Sequence, residues 1–332
     1  MAAHLFPIVA AVLTWGATWA FLRVMQAHHR QQPPSARGMH NAPVVTGAGA
    51  VIVAVICALT AGMSGNEPLA AAGTLIVLAA LLAALSWVDD QHGGLSATVR
   101  LAAHAAAVTV MLFQLDGTQR AFPALPLAAE RALLAVAWVW FINLFNFMDG
   151  IDGLAGSETI AISIGYSLVM IAISGVGLAS PFALTLAGAA AGYLVWNWPP
   201  AKVMMGDTGS IPLGFLLGWL MLDLALRGYP VAAFILPLYF VTDATLTLGR
   251  RVLGGELPWT PHRDHTYQRA ALAAGSHAAV VLRVAAVNVV LLALAALSVH
   301  YPLLALLGAI GTVTALTFHL ERMARSTNTQ AL

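Results

Sequence analysis

Long apolar stretches recur along the whole chain, and short polar breaks separate them. The stretches are roughly 18 to 22 residues long, which is the length that an α-helix needs to cross a hydrocarbon core about 30 Å thick. Eleven such stretches are centred near residues 14, 53, 79, 107, 138, 165, 189, 218, 238, 288 and 309. They must be helices, because backbone groups find no water in lipid and the alternating strands of a barrel are absent. The pattern predicts an all-α fold: a polytopic membrane helical bundle of about 10–11 transmembrane helices, forming a single integral membrane domain over residues 1–332.

Composition supports this interpretation. Of the 332 residues, 60% are hydrophobic and 9% are charged, whereas a soluble domain carries about 25% charged residues. An ordinary soluble protein is therefore excluded. The formal net charge of +1 gives no reason to expect a nucleic acid partner. A single cysteine, Cys57, rules out an intrachain disulfide.

The basic residues are distributed unevenly between the two sets of connections. One set carries twelve of the fifteen Lys and Arg residues, and the other carries only Arg120, Arg131 and Arg227. Cytoplasmic loops are enriched in Lys and Arg, so the larger set is predicted to face the cytoplasm. The polar clusters lie in loops of this same set, near residues 89–100, 143–156, 197–210 and 249–277. The sequence therefore predicts a site at the cytoplasmic face.

The first cluster is the pair Asp89-Asp90, which ends the apolar run from Leu81 to Val88. A carboxylate at the membrane boundary is costly to desolvate and is usually functional. Adjacent carboxylates also raise each other's proton affinity or share a cation. A solvated loop at a helix end is the alternative, and the pair alone leaves both interpretations open.

The second cluster begins at the end of an apolar span. Asn143, Asn146 and Asp149 recur every three positions and so line one helical face, and Asp152 and Gly153 follow. Hydrogen bonding between helices could explain the asparagines. It does not readily explain two aspartates among glycines, and the spacing does not match a calcium-binding loop.

The third cluster runs from Trp196 to Ser210 and leads into an apolar helix. Ser210 is predicted to be the N-cap, and a glycine-bearing loop before a helix N-terminus offers free N–H groups to a phosphate. Lys202 adds a point charge. Because Asp207 would repel a bare phosphate, its presence indicates a divalent cation shared between the protein and a ligand.

The fourth cluster lies in the longest loop and has an anion-binding composition: His262, Arg263, His265 and Arg269. The two histidines could bind zinc, but one cysteine and no His-Glu-x-x-His motif make a zinc protease a poor interpretation. A basic loop that obeys the charge rule would account for the arginines but not for the histidines. Asp243 precedes this loop and is predicted to balance Arg250 or Arg251.

Together the clusters resemble the polyprenyl-phosphate N-acetylhexosamine-1-phosphate transferases of glycosyltransferase family 4, over roughly residues 30 to 270. Asp89-Asp90 is similar to the aspartate pair of that family. The stretch from Asn143 to Leu154 matches its Asn-x-x-Asn-x-x-Asp-Gly-x-Asp-Gly-Leu motif, and Pro200 to Ser210 matches its Pro-Ala-Lys…Gly-Asp-x-Gly-Ser motif. One departure is the stretch Pro43-Val-Val-Thr-Gly-Ala-Gly49, where family members often show Pro-Thr-Pro-Arg-Gly-Gly-Gly.

The histidine-arginine loop resembles the variant of the enzymes that initiate O-antigen and related lipopolysaccharides. Peptidoglycan enzymes carry a three-histidine stretch there. The resemblance thus implies a UDP-N-acetylhexosamine donor and not the muramyl pentapeptide nucleotide.

The resemblance also implies a reaction. Polyprenyl (undecaprenyl) phosphate attacks the β-phosphorus of the UDP-sugar, releases UMP and leaves a polyprenyl diphospho-sugar for cell-envelope polysaccharide synthesis. The implied location is the bacterial inner (cytoplasmic) membrane, with membrane lipid around the protein. The sequence leaves open whether the protein forms a homodimer.

Residue roles carry over from the family motifs, with Mg²⁺ as the implied cofactor and Mn²⁺ as the alternative ion. Asn146 and Asp207 would hold the metal. The catalytic set would be Asp89 or Asp90 at the lipid phosphate, with Asp149 and Asp152 orienting the metal shell and the nucleotide. The donor's phosphates and sugar would be bound by Lys202, His262, Arg263, His265 and Arg269.

Two other classes fit parts of the pattern. An ion-coupled secondary transporter also has broken helices and acidic residues, but it concentrates them near the midplane. An intramembrane aspartyl protease could use Asp207 and Asp243, but it would leave the clusters at the loops unexplained.

Overall fold

The protein is described by a computed structural model that covers residues 5–28, 39, 43–63, 69–174, 180–257, 260 and 262–326. Within these residues the chain is helical apart from turns, loops and one isolated bridge between Val45 and Val203. The helices are α1 (Phe6–Ala27), α2 (Gly49–Met63), α3 (Leu69–His92), α4 (Ala97–Phe113), α5 (Leu127–Phe147), α6 (Leu154–Ser174), α7 (Pro181–Asn197), α8 (Asp207–Leu226), α9 (Pro230–Ile235), α10 (Leu238–Leu253), α11 (Thr266–Ala274), α12 (His277–Leu297) and α13 (Pro302–Ser326). The predicted all-α fold is confirmed.

Each of the eleven predicted centres lies inside a helix. Among the described residues, seven helices are long and apolar enough to cross a membrane, namely α1, α3, α5, α6, α8, α12 and α13. Two further apolar helices, α2 and α4, are shorter, with 15 and 17 residues. The chain is therefore a polytopic membrane bundle.

One predicted span differs from a single continuous helix. The stretch centred on residue 238 is divided at Leu236-Pro237 into the six-residue α9 and the longer α10. Proline has no backbone N–H and cannot continue the hydrogen-bond ladder of the preceding helix. As a result α10 begins as a separate helix at Leu238. It carries Asp243 and, in its last turn, Arg250 and Arg251.

Close packing in the bundle depends on small residues. In α7, Gly188 and Gly192 lie four positions apart and so share one face. A Cβ atom on Gly188 would lie 2.1 Å from the carbonyl oxygen of Pro7, and one on Gly192 would lie 2.1 Å from that of Ala11. Small residues at this spacing let helices approach closely where lipid provides no hydrophobic drive for association. Helix α1 is thereby held against α7.

Helix α8 is the most enclosed of the seven long helices, with 78% of its apolar window buried. It packs against α3, α5 and α2. At one end of the bundle its first turn meets the last turns of α3 and α5 and the first turns of α2 and α4. The polar clusters predicted from separate loops therefore converge around the N-terminus of α8.

A short extended segment adds to this end of the bundle. Val45 accepts a hydrogen bond from the backbone N–H of Met204 at 2.8 Å, and the backbone N–H groups of Ala48 and Gly49 donate to Met204 and Met205 at 3.2 and 3.1 Å. This pairing fixes the loop before α2 against the loop before α8.

Candidate active site

The prediction that Ser210 is the N-cap was wrong, because α8 begins at Asp207, the centre of the site, and its N-cap is Gly206. The preceding Gly206 has a φ of 67°, and a Cβ atom there would lie 3.0 Å from a carboxylate oxygen of Asp90. Asp207 Oδ1 accepts a hydrogen bond from Asn146 Nδ2 at 2.8 Å, and its Oδ2 accepts one from Arg100 at 3.3 Å. The two predicted metal ligands, Asn146 and Asp207, are thus in direct contact although 61 residues separate them.

The adjacent carboxylates of Asp89 and Asp90 have different partners. Asp90 Oδ2 accepts hydrogen bonds from Thr208, from the hydroxyl at 2.7 Å and from the backbone N–H at 3.3 Å. Asp89 instead accepts from the backbone N–H of Leu95 at 3.0 Å and lies 3.5 Å from Arg100. Asp90 therefore faces the N-terminus of α8, whereas Asp89 fixes the connection to α4.

Arg100 is a site residue that sequence reasoning missed. It was counted only among the basic residues of its side, yet its guanidinium lies between Asp89 and Asp207. The signal that could have found it is its position at the start of α4, four residues after the N-cap Ser96. Arg100 supplies positive charge inside the aspartate cluster.

Asp149 is half-buried in the turn between α5 and α6. In the part of the chain that the structure describes, its Oδ1 has no hydrogen-bond partner. Burial raises the pKa of this carboxyl well above its ordinary value, and the negative charges of Asp207, Asp152 and Asp90 raise it further. A cation beside Asp149 would offset both effects.

The aspartate cluster fits a magnesium ion. Mg²⁺ takes oxygen ligands, keeps several waters and is usually bound by one or two carboxylates plus substrate phosphates. Asn146, Asp149 and Asp207 offer such oxygens, one of which lacks a hydrogen-bond donor. Among the described residues, no group of three or more His, Cys, Asp or Glu side chains is placed to hold a metal ion by itself. An ion at this site would have to take its other ligands from water and phosphate.

Asp152 connects the loops around the site through hydrogen bonds. Its Oδ2 accepts a hydrogen bond from the backbone N–H of Ala201 at 2.9 Å, and its Oδ1 lies 3.2 Å from His277 Nδ1. The neighbouring Gly153 donates its N–H to the side chain of Asn197 at 2.9 Å. These contacts join the second and third clusters and the start of α12.

The predicted donor-binding residues occupy separate positions. Lys202 is exposed, and its ammonium lies 5.3 Å from the ring centre of Trp196. The ring of His262 stacks on that of His265, with 5.0 Å between the ring centres. Arg263, which follows His262 in the sequence, is half-buried. Arg269 pairs with Glu321 of α13. The structure thus groups the two histidines but does not gather all five residues into one patch.

The pKa of His262 favours the neutral imidazole. Burial lowers the pKa of its imidazole to about 4, and the positive charges of His265 and Arg251 act in the same direction. In the predicted anion-binding loop His262 therefore acts as a hydrogen-bonding group, and the arginines carry the charge.

The histidine loop is fastened to the aspartate motif through Tyr267. Its hydroxyl donates to the carbonyl oxygen of Phe147 at 2.9 Å. A Cβ atom on Gly150 would lie 2.1 Å from that hydroxyl oxygen, so glycine is required for the close approach. The second and fourth clusters therefore meet.

Several known proteins are similar to this chain in sequence. The profile of glycosyl transferase family 4 matches residues 72–225, which include the first three clusters. A probable undecaprenyl-phosphate N-acetylglucosaminyl 1-phosphate transferase of Bacillus subtilis is 28% identical over 71% of this chain and 68% of its own length. A decaprenyl-phosphate N-acetylglucosaminephosphotransferase of Mycolicibacterium smegmatis is 27% identical over 83% of this chain and 77% of its own.

A third relative matches a shorter stretch of the chain with higher sequence identity. A phospho-N-acetylmuramoyl-pentapeptide-transferase of Moorella thermoacetica is 44% identical over 89 residues, which is 27% of either chain. Over residues 72–225, which are just under half of the chain, the protein is similar to glycosyl transferase family 4. It is a multi-pass membrane protein, and its aspartate cluster is the candidate active site.

The loop from Pro43 to Gly49, which departs from the family motif, packs against this candidate active site. The loop from Pro43 to Gly49 forms the bridge to Val203, and Gly49 packs directly on Gly209. Thr46 stands where family members often carry arginine. The loop thus supports the Gly206-to-Ser210 element through its backbone.

The predicted role of Asp243 was wrong. Asp243 accepts hydrogen bonds from the backbone N–H groups of Thr266 at 3.0 Å and Tyr267 at 3.1 Å, and lies 3.4 Å from His265. Arg250 pairs with Glu321 and Arg251 with Asp264. A helix N-terminus has unpaired N–H groups and a positive dipole end, so the buried carboxylate caps α11 and needs no arginine.

Removal of the Asp243 cap should make the histidine loop more mobile, because α11 begins directly after it. We expect Asp243→Ala to destabilise the protein by about 2 kcal/mol, because two backbone donors lose their acceptor. Asp243→Asn retains one acceptor oxygen and should lose less. Thermal unfolding in detergent and the rate of proteolysis within residues 254–263 measure the effect. An alanine variant as stable and as protease-resistant as the wild type would contradict the capping role.

Proposed function

We propose that this protein is a transferase that moves an N-acetylhexosamine 1-phosphate from a UDP-sugar to a polyprenyl phosphate, with release of UMP. The observation that carries the proposal is the cluster of Asp90, Asn146, Asp149 and Asp207 around the N-terminus of α8. The names of the Bacillus and Mycolicibacterium relatives, which specify polyprenyl phosphates and N-acetylglucosamine, support the choice of substrates.

The cluster suits phosphoryl transfer between a lipid and a soluble nucleotide. Such transfer depends mainly on positioning and on neutralising charge at the phosphates. Bound Mg²⁺, or Mn²⁺ in its place, would supply most of that neutralisation. Asn146 and Asp207 would hold the ion, with Asp149 beside them. The N-terminus of α8 adds the positive end of the helix dipole at the same place, which would favour a donor phosphate there.

Asp90 is the residue that we propose for the acceptor. It ends a membrane-spanning helix, so its carboxylate lies where a lipid phosphate would reach the interface. An acceptor oxygen would attack the β-phosphorus, and the bond to the oxygen of the α-phosphate would break so that UMP leaves. A phosphate monoester has a second pKa near 6, so no strong base is needed to deprotonate it. Asp90, held by Thr208, would orient the acceptor and not abstract a proton.

The donor specificity that we propose rests on the histidine loop. His262 and His265 form a stacked pair attached to the aspartate motif through Tyr267. A neutral His262 can hydrogen-bond a sugar hydroxyl or amide, while Arg263 provides the charge for a phosphate. The excess of basic residues at this end favours a cytoplasmic active site in a bacterial inner membrane, and the resemblance of the loop favours O-antigen or related lipopolysaccharide synthesis.

A donor panel tests the proposal. The purified protein with undecaprenyl phosphate and Mg²⁺ should release UMP from UDP-N-acetylglucosamine or another UDP-N-acetylhexosamine, in step with formation of the diphospho-sugar lipid. UMP release from the muramyl pentapeptide nucleotide alone would overturn the donor assignment. If no donor released UMP, the transfer reaction itself would be wrong, and transport or proteolysis would have to be tested.

A further inference from the structure

A second polar cavity lies apart from the aspartate cluster. It has a volume of about 530 Å³ and lies between α10, α11 and α13. Its lining is Thr242, Leu246, Arg250, Arg269, Thr314, Thr317, Phe318, Glu321, Arg322 and Arg325. None of these residues contributes to the aspartate cluster, so the cavity needs an explanation of its own.

The cavity changes in polarity along its length. On α10 the lining residues are Thr242, Leu246 and Arg250, which recur every four positions on one face. On α13 the lining extends from Thr314 through Phe318 to Arg325, a distance of about 16 Å at 1.5 Å per residue. Both helices therefore run from threonine through an apolar residue to arginine in the same direction. The cavity is an amphipathic groove with one basic end.

The basic end carries an excess of positive charge. Four arginines and one glutamate line the groove, which leaves a formal charge of +3. Glu321 accepts hydrogen bonds from Arg250 and Arg269. The side chain of Arg250 remains 60% exposed, so most of its donors are open to a ligand. The guanidinium of Arg322 lies 4.3 Å from the ring centre of Phe318 and is exposed.

Helix ends alone do not explain this arrangement. Arginines at the C-terminal ends of α10 and α13 are favoured by the helix dipole and by the excess of basic residues on this side. Neither effect requires arginines of three helices to converge on one cavity, or threonines to line its other end. A ligand with an anionic head accounts for the converging arginines, and an apolar body would follow Leu246 and Phe318.

We propose that this groove binds an anionic glycerophospholipid of the bilayer. Its phosphate would lie among Arg250, Arg322 and Arg325, and its acyl chains would follow Leu246 and Phe318. Basic pockets between transmembrane helices at the cytoplasmic side are suited to such headgroups. A membrane lipid is favoured over a soluble phosphate because Phe318 is 58% exposed on a helix that also exposes Leu303, Leu304, Leu307 and Ile310.

The polyprenyl acceptor fits this groove less well. Its phosphate must reach Asp90 and Asp207 to react, and the groove shares no lining residue with that cluster. The groove is nevertheless connected to the histidine loop, because Glu321 also lies 3.4 Å from the hydroxyl of Thr266 at the start of α11. A lipid bound at the basic end would therefore contact the element that holds this loop.

Binding can be measured without turnover. We expect native mass spectrometry of the full-length protein in detergent to show retention of phosphatidylglycerol in preference to phosphatidylcholine. The double variant Arg322→Gln, Arg325→Gln should lose at least tenfold in affinity for phosphatidylglycerol, because each basic residue near an anionic lipid contributes roughly a factor of five. Both arginines are exposed, so the fold should be unaffected, which thermal unfolding without lipid checks.

Arg23→Gln is the matched control. Arg23 is also exposed and lies 5.7 Å from the ring centre of Trp19, but it is not part of the groove. Its substitution should leave phosphatidylglycerol binding unchanged. Equal affinity in the double variant and the wild type, or an equal loss in the control, would overturn the proposal. It would also be overturned if inorganic phosphate, UMP or undecaprenyl phosphate displaced phosphatidylglycerol at equal or lower concentration.

Discussion

Replacing Asp207 by asparagine should reduce sugar-phosphate transfer by about 10³-fold or more while the protein stays folded. A lost charge of this kind removes a metal ligand and the electrostatic stabilisation that phosphoryl transfer requires. The fold should tolerate the change, because Asp207 is close to the like charges of Asp90 and Asp149 and the substitution relieves their repulsion. Initial rates over a range of Mg²⁺ concentrations, together with thermal unfolding, measure the two effects separately.

Asp223→Asn is the matched control for this experiment. Asp223 lies on the same helix, α8, but at its other end, where it pairs with Arg227 at 2.6 Å and accepts a hydrogen bond from Tyr166 at 2.6 Å. Its substitution should affect stability but leave the Mg²⁺ dependence of transfer unchanged. Near-normal turnover of Asp207→Asn at saturating Mg²⁺ would contradict the assignment of Asp207 as a metal ligand.

Gly49→Ala should destabilise the bundle by about 3 kcal/mol or more, which is large for a single methyl group. A Cβ atom at this position would lie 2.1 Å from the Cα atom and 2.3 Å from the nitrogen of Gly209. Because the obstructing atoms are backbone, α2 would have to move away from α8. That movement would break the hydrogen bond from Gly49 to Met205 and displace the loop before Asp207, so transfer should fall as well.

Gly62→Ala is the control in the same helix. A Cβ atom on Gly62 meets nothing within 4 Å, so the change should be neutral or stabilising by about 0.5–1 kcal/mol through helix propensity. The thermal unfolding of both variants in one detergent provides the comparison. If Gly49→Ala unfolded at the same temperature as Gly62→Ala, the close contact between α2 and α8 would be wrong.

The sequence predicted the large features because they follow from composition and spacing. Apolar stretches of membrane-spanning length must be α-helices, because lipid offers no hydrogen-bond partners to the backbone. The centres of all eleven predicted stretches lie in helices. The spacing of Asn143, Asn146 and Asp149 predicted one helical face, but only the two asparagines lie in α5, because the helix ends at Phe147 and Asp149 lies in the turn that follows. Loop positions and basic residues placed the clusters on one side of the bundle. The contact between Asn146 and Asp207 was expected only from the family resemblance.

Only the tertiary structure decided which side chains meet. Asp243 caps α11 and does not pair with Arg250, Arg100 lies between two aspartates, and Gly49 abuts Gly209. The lipid groove likewise combines residues of three helices. The physical reason is that helices in a membrane bundle are apolar on most sides, so their sequences fix where they start and end but not which face packs on which neighbour. Those faces are chosen by close packing and by the pairing of polar groups across helices that lie far apart in the chain.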